Sequence, residues 1–329
     1  MNNLFTILLV LGAVTIASAQ IHLGPLNVDA SSVTASGVSS GAAMATQLHV
    51  ALSSTVHGVA LFAGVVFHCA QGLLSEALVC METPALVPVA TLISETDNME
   101  SRGSIDSTSN LVGDKAYIFA GSLDTVVKPG NGPNIEEFYS HYGVQLITEY
   151  GVVAEHCQPT DNHGPACSYL GGDYINNCVY NGAYEALNAL YGDIQRPTGS
   201  EALLGTFAEF DQGDFFTLGL PSQSSMDNVG YVYIPSACED GTVTCKLHVA
   251  LHGCLQGREA MGDTFAKNTE YLQVAELNNI IVIFPQAIST ILSNPNGCWD
   301  WWGYTGIGYS TNNAPQIVAI RRMIETVIG

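Results

Sequence analysis

Gly37-Val38-Ser39-Ser40-Gly41 is the one G-x-S-x-G pattern in the chain, lying between a β-like run, Ser32 to Ser36, and an Ala-rich helical stretch. In that strand-turn-helix setting the glycines let the chain turn sharply and hold a serine hydroxyl above a sheet, so Ser39 is the candidate nucleophile. A hydroxyl needs a base to take its proton and an acid to orient that base. In α/β-hydrolases both follow the serine, acid first. Asp124, in Gly121-Ser122-Leu123-Asp124, leaves the end of a strand at Ala116 to Gly121, and His156, in Glu155-His156-Cys157, follows the next strand at Val144 to Ile147. The rivals are placed less well. Asp114 precedes its strand, at the wrong end of a sheet; Asp161 is a second rival acid. His49 and His57 lie along or after the helix that follows Ser39, His141 is in a helix, and His163 shares the His156 loop as its one serious competitor.

Acyl transfer also needs two donors aimed at the oxyanion. One is the N–H of the residue after the nucleophile, Ser40. The second comes in such enzymes from an H-G loop that precedes the nucleophile. Here that loop is His252-Gly253-Cys254, after the strand Leu247 to Leu251, far downstream of Ser39. From it the chain continues through a helix over Thr264 to Asn278, the strand Ile280 to Phe284 and the helix Gln316 to Ile328, where an ordinary hydrolase would reach its nucleophile strand. The order therefore implies a circular permutation, tolerable where chain ends meet at the surface. It also predicts that the strand ending at Ser39 pairs with Ile280 to Phe284.

The remaining elements agree with this frame. Strand-like runs at Val56 to Ala63 and Tyr231 to Ile234, and helical spacing at Ala42 to Ser53 and Ile135 to Tyr142, complete an alternating pattern. Such alternation means an α/β fold with a mainly parallel sheet and helices on both faces. No linker or repeat interrupts it, so residues 20–329 read as a single catalytic domain.

The chain of 329 residues carries 9 Lys+Arg against 30 Asp+Glu, a net charge of −21, yet only 12% of residues are charged and 47% are hydrophobic. Scarce bases disfavour nucleic acid, anionic membranes and polyanionic substrates. An apolar run from Leu4 to Ile16, then Ala17-Ser18-Ala19, reads as a signal peptide over residues 1–19 and predicts secretion. Nine cysteines then imply disulfides. Spacing suggests Cys69 with Cys80, Cys167 with Cys178, Cys238 with Cys245 across a hairpin, and Cys254 with Cys298, leaving Cys157 free, although spacing alone does not fix connectivity. No cofactor fingerprint or metal-binding motif occurs, so neither a cofactor nor a metal is expected.

With these motifs Tyr174-Ile175-Asn176-Asn177-Cys178 and Asn294-Pro295-Asn296-Gly297-Cys298-Trp299-Asp300-Trp301-Trp302-Gly303-Tyr304 resemble the single-domain, circularly permuted extracellular poly(3-hydroxybutyrate) depolymerases of fungi and bacteria. The resemblance covers nearly the whole chain after residue 19. It implies a secreted serine esterase acting on a neutral polyester or ester oligomer, with the triad Ser39, Asp124 and His156 and the N–H groups of Ser40 and Cys254 as oxyanion hole. It also implies substrate contacts at Asn296 and Trp301, and a monomer is expected. Two departures stand out. Gly41-Ala42-Ala43-Met44 replaces Gly-Gly-Tyr-Met, a change expected to reshape the pocket floor, and Cys157 occupies a position where another residue is usual.

All three tryptophans fall at 299, 301 and 302. They suit an apolar platform for an ester chain or core packing, and alternation in an extended segment would send Trp299 and Trp301 the same way. Two other functions fit the same residues: a carbohydrate or feruloyl esterase with the same triad, and an inactive polymer-surface binder that uses the tryptophan loop alone.

Overall fold

The computed structural model describes residues 20–217 and 220–329, so the expected signal peptide lies outside the described residues. After a short 3-10 turn at Ala30–Ser32 come β1 (Thr34–Val38), α1 (Ser40–Ala51), β2 (Gly58–Phe62), α2 (Leu74–Glu82) and α3 (Val89–Ser101). Next are β3 (Lys115–Phe119), α4 (Asn131–His141), β4 (Gln145–Glu149), β5 (Gln158–Thr160), β6 (Ile175–Asn177) and α5 (Gly182–Tyr191). The chain then forms β7 (Thr206–Asp211), β8 (Val229–Ile234), β9 (Lys246–Leu251), α6 (Arg258–Met261), α7 (Thr264–Asn268), α8 (Tyr271–Asn278), β10 (Ile280–Phe284) and α9 (Pro315–Ile328).

Eight strands make one sheet in the order β4-β3-β2-β1-β9-β10-β8-β7, parallel from β4 to β10 and antiparallel at β8 and β7. Period-two alternation feeds two cores. Ala35, Val59, Leu61, Val249 and Ile281 point to one face with residues of α1, α3, α4 and α9, while Ala60, Phe62, Ala250, Val282 and Phe284 point to the other with residues of α5, α7 and α8. Strands buried on both sides explain the nearly continuous Val/Ile/Leu/Ala runs. This is the α/β-hydrolase fold that the sequence order implied.

One expectation fails. β1 pairs with β2 and with β9, Gly37 opposite Leu251, and not with β10. Consecutive β9 and β10 step outward from the sheet centre, so the slot on the inner side of β9 stays open for the strand that begins the described chain. The permutation itself stands in the geometry: Leu26, just before β1, donates its N–H to the Val327 carbonyl at the end of α9 (2.8 Å).

Local details also differ. The helix expected over Thr264 to Asn278 breaks at Glu270, whose φ is +67°. All four expected disulfides form and Cys157 is free and buried. Cys238 and Cys245 do not face each other across a hairpin, however, because β10 lies between β8 and β9. Among the described residues no helix is long and apolar enough to cross a membrane.

Candidate active site

Ser39 sits between β1 and α1 at φ 58° and ψ −121°, a conformation that costs a non-glycine residue about 1–3 kcal/mol and holds the hydroxyl out of the sheet. The flanking glycines make the turn possible. A Cβ on Gly37 would lie 2.2 Å from the Gly41 carbonyl carbon, and one on Gly41 would lie 2.3 Å from the Leu251 oxygen, so helix, turn and neighbouring strand touch backbone to backbone.

Asp124 and His156 follow the carboxyl ends of β3 and β4, adjacent parallel strands whose loops run together: Ser122 N–H donates to Val152 and Leu123 N–H to Ala154, both at 3.0 Å. The two catalytic candidates meet at 2.9 Å, Asp124 Oδ2 with His156 Nδ1. The other carboxylate oxygen, Oδ1, accepts the N–H groups of Val126 and Val127 (2.9 and 2.8 Å), which holds the carboxylate in place. His156 and Ser39 line the same cleft. Ser39 itself is partly exposed in that cleft. The rivals lie elsewhere: Asp114 holds His49 at 3.2 Å below the opposite end of β3, Asp161 pairs with Arg196, and His163 is not among the residues lining the cleft.

Ser40 is the first residue of α1, so its N–H has no intrahelical acceptor and lies at the positive end of the helix dipole. The Cys254 N–H belongs to the Gly253–Cys254 peptide, and that peptide is clamped. His252, wholly buried, accepts the Ala287 N–H at Nε2 (3.0 Å). Its proton is therefore on Nδ1, which donates to the Gly253 carbonyl at 2.7 Å. Burial drives the His252 pKa down to about 4. In a trans peptide C=O and N–H point opposite ways, so pinning the Gly253 carbonyl aims the Cys254 N–H away from His252. Sequence reasoning used His252 only as half of an H-G motif; its role appears only when Ala287 is seen against it.

The cleft has a volume of about 490 Å³ and is mostly apolar, with α2 supplying Leu74, Leu78 and Met81 along one wall. Trp301 and Trp302 line it and Trp299 does not, against the alternation expected of an extended segment. The cause is Asp300, whose carboxylate takes the N–H groups of Gly303, Tyr304 and Thr305 and bends the chain within one step. Trp299 is fully buried, its indole N–H donating to the His252 carbonyl (3.0 Å) and its backbone N–H to Ser40 Oγ (3.3 Å). Asn296 also lines the cleft, its carbonyl accepting from Leu255 (2.8 Å), and the Cys254–Cys298 disulfide ties this loop to the Gly253–Cys254 peptide.

The chain is 36% identical over 346 residues to a polyhydroxybutyrate depolymerase of Talaromyces funiculosus, an alignment covering 98% of this chain and 96% of that protein. The chain belongs to the polyhydroxybutyrate depolymerase family. It is 39% identical over 314 residues to a poly(3-hydroxybutyrate) depolymerase of Delftia acidovorans, covering 94% of this chain but only 62% of that longer protein. The crystal structure of a PHB depolymerase from Penicillium funiculosum superposes with a TM-score of 0.85 at 34% identity, covering 94% of this chain and 99% of that one. A PHB depolymerase with one serine changed to alanine, complexed with an R3HB trimer, gives a TM-score of 0.86 at the same identity and coverage. No protein-family model matches the chain.

Of the two sequence departures, only the first differs from expectation. Ala42 and Ala43 are buried in α1 and are not among the residues lining the cleft, so they fill core space and leave the pocket floor untouched. Cys157 is buried beside the histidine, and desolvation pushes its thiol up to about 12, which makes it an inert packing residue.

Proposed function

We propose that this protein is a secreted serine esterase that hydrolyses poly(3-hydroxybutyrate) or a similar short-chain polyhydroxyalkanoate, with residues 20–329 as one catalytic domain acting as a monomer. The observation that carries the reading is the Asp124–His156 pair at 2.9 Å opening on the same apolar cleft as the strained Ser39. His156, oriented by Asp124, deprotonates Ser39 as it attacks the ester carbonyl; the N–H groups of Ser40 and Cys254 receive the oxyanion. The alcohol end of the chain leaves with the proton from His156, and water releases the acyl group by the same route.

An apolar cleft with few charges suits a neutral ester chain, and the lining by Trp301, Trp302 and Asn296 supports them as its contacts. The R3HB trimer held by a relative of similar fold supports an ester oligomer as substrate. The net charge of −21 weighs against nucleic acid and anionic membrane partners.

The test is clearing of a poly(3-hydroxybutyrate) suspension beside p-nitrophenyl butyrate and an acetylated or feruloylated sugar. Wild type clears the suspension, and Ser39→Ala loses at least about 10³-fold in kcat on the soluble ester. Sugar-ester activity without clearing overturns the reading.

A further inference from the structure

Glu155 precedes His156 and is nearly buried, with 8% of its surface exposed. Its carboxylate takes three donors. Oε2 accepts the His156 N–H at 2.8 Å and the Thr125 N–H at 3.1 Å, and Oε1 accepts the Thr125 hydroxyl at 2.6 Å. Thr125 is the residue after Asp124. The backbone ladder between the two loops stops at Leu123 and Ala154, and the Glu155 side chain continues it where the loops carry their reactive groups. Burial opposes its charge, but the bonds from Thr125 and His156 outweigh burial and hold the carboxyl below its ordinary value, so it is an anion at neutral pH.

We propose that Glu155 is a positioning residue of the esterase, a clamp that sets the separation and orientation of Asp124 and His156 by joining the loops that bear them. The proposal rests on the assignment of Ser39, Asp124 and His156 as the triad. A carboxylate suits the place because it only accepts, and two of its three partners are backbone N–H groups that can only donate. A glutamine can keep both N–H groups on its oxygen and donate its NH2 to the Thr125 hydroxyl, whereas methionine, of similar length, offers no oxygen and breaks all three bonds.

The test is kcat and KM on p-nitrophenyl butyrate, the rate of Ser39 labelling by a fluorophosphonate, and the downfield proton resonance of the His156–Asp124 hydrogen bond, in wild type, Glu155→Met, Glu155→Gln and Thr125→Val. Glu155→Met lowers kcat and the labelling rate by about 10- to 100-fold with KM within about twofold, and the downfield resonance broadens or disappears, whereas Glu155→Gln, which can keep the three bonds, recovers most of the loss. Thr125→Val, which keeps the carboxylate and removes one donor, falls about tenfold in kcat, and Thr125→Ser recovers it. A folded Glu155→Met with wild-type kcat and resonance overturns the clamp. Should that variant not fold, Thr125→Val decides, and a wild-type kcat there overturns it equally. Ser39→Ala separates the two claims: full activity in it defeats the triad, whereas an inactive Ser39→Ala beside a fully active Glu155→Met defeats the clamp alone.

Discussion

His252 shows how one buried side chain sets the direction of a backbone peptide beside the cleft. Its two nitrogens face a donor and an acceptor, the Ala287 N–H and the Gly253 carbonyl, so only one neutral tautomer satisfies both. Replacing it by phenylalanine keeps most of the volume, releases the Gly253 carbonyl and strands the Ala287 N–H. Loss of an oxyanion donor costs about 10²- to 10³-fold, so His252→Phe, which misdirects the donor without deleting it, should cost about 10- to 100-fold in kcat with KM little changed. Steady-state kinetics on p-nitrophenyl butyrate checks this, and a wild-type kcat would show that the Cys254 peptide is held by its disulfide alone. That Asp124 meets His156 beside the cleft that Ser39 lines was legible from sequence because their spacing after strands is itself the signal. His252 and Glu155 were not, because their roles depend on partners at Ala287 and Thr125 that only the folded loops bring close.

At the scale of elements, β9 carries a disulfide beyond each end. Cys245 precedes its amino end and pairs with Cys238; Cys254 follows its carboxyl end and pairs with Cys298 in the loop bearing the cleft tryptophans. Removing both cysteines of a pair tests stability and function separately. The sequence separations of 7 and 44 imply losses of about 2.5 and about 4 kcal/mol in the chain-entropy account. Cys238→Ala/Cys245→Ala should lose stability and keep kcat. Cys254→Ala/Cys298→Ala should lose stability and about tenfold or more in kcat/KM, because Trp301 and the oxyanion peptide are no longer tied. Equal kinetics in the two double variants, measured well below their melting temperatures, would reject this coupling. The central strands were readable from their Val/Ile runs, whereas α2 was not: Leu74 and Leu78 turn toward the cleft instead of the core, so its pattern lacks an ordinary buried face. Sheet order failed at β1 because pairing of β1 with β9 joins residues more than two hundred positions apart, and no local signal records it.

For the whole molecule the pH dependence of stability follows from a few buried groups. Desolvation lowers the pKa of His248 to about 3 and of His252 to about 4, so the unfolded chain binds protons near pH 6.5 that the folded one refuses. Stability from these histidines is complete above pH 6.5 and is lost as pH falls toward 4. Glu270 works the other way. Burial raises it to about 7, so the folded state holds its proton more tightly and loses stability as pH rises from about 4.5 to about 7. Between pH 7.5 and 4.5 these two histidines remove about 5 kcal/mol, and partly exposed Glu270, discounted for solvent screening, returns about 1. The net charge of −21 adds a general repulsion that acid also relieves, but salt screens surface charge far more than buried groups. His68, lowered to about 4 by the same desolvation, adds to the loss, so urea unfolding in 0.5 M salt should show a fall of at least about 4 kcal/mol from pH 7.5 to pH 4.5. Glu270→Gln should be about 1 kcal/mol more stable than wild type at pH 8 and indistinguishable from it at pH 4.5. A flat or rising stability toward acid under these conditions would mean that His248 and His252 take up protons without unfolding, against the desolvation that their burial imposes.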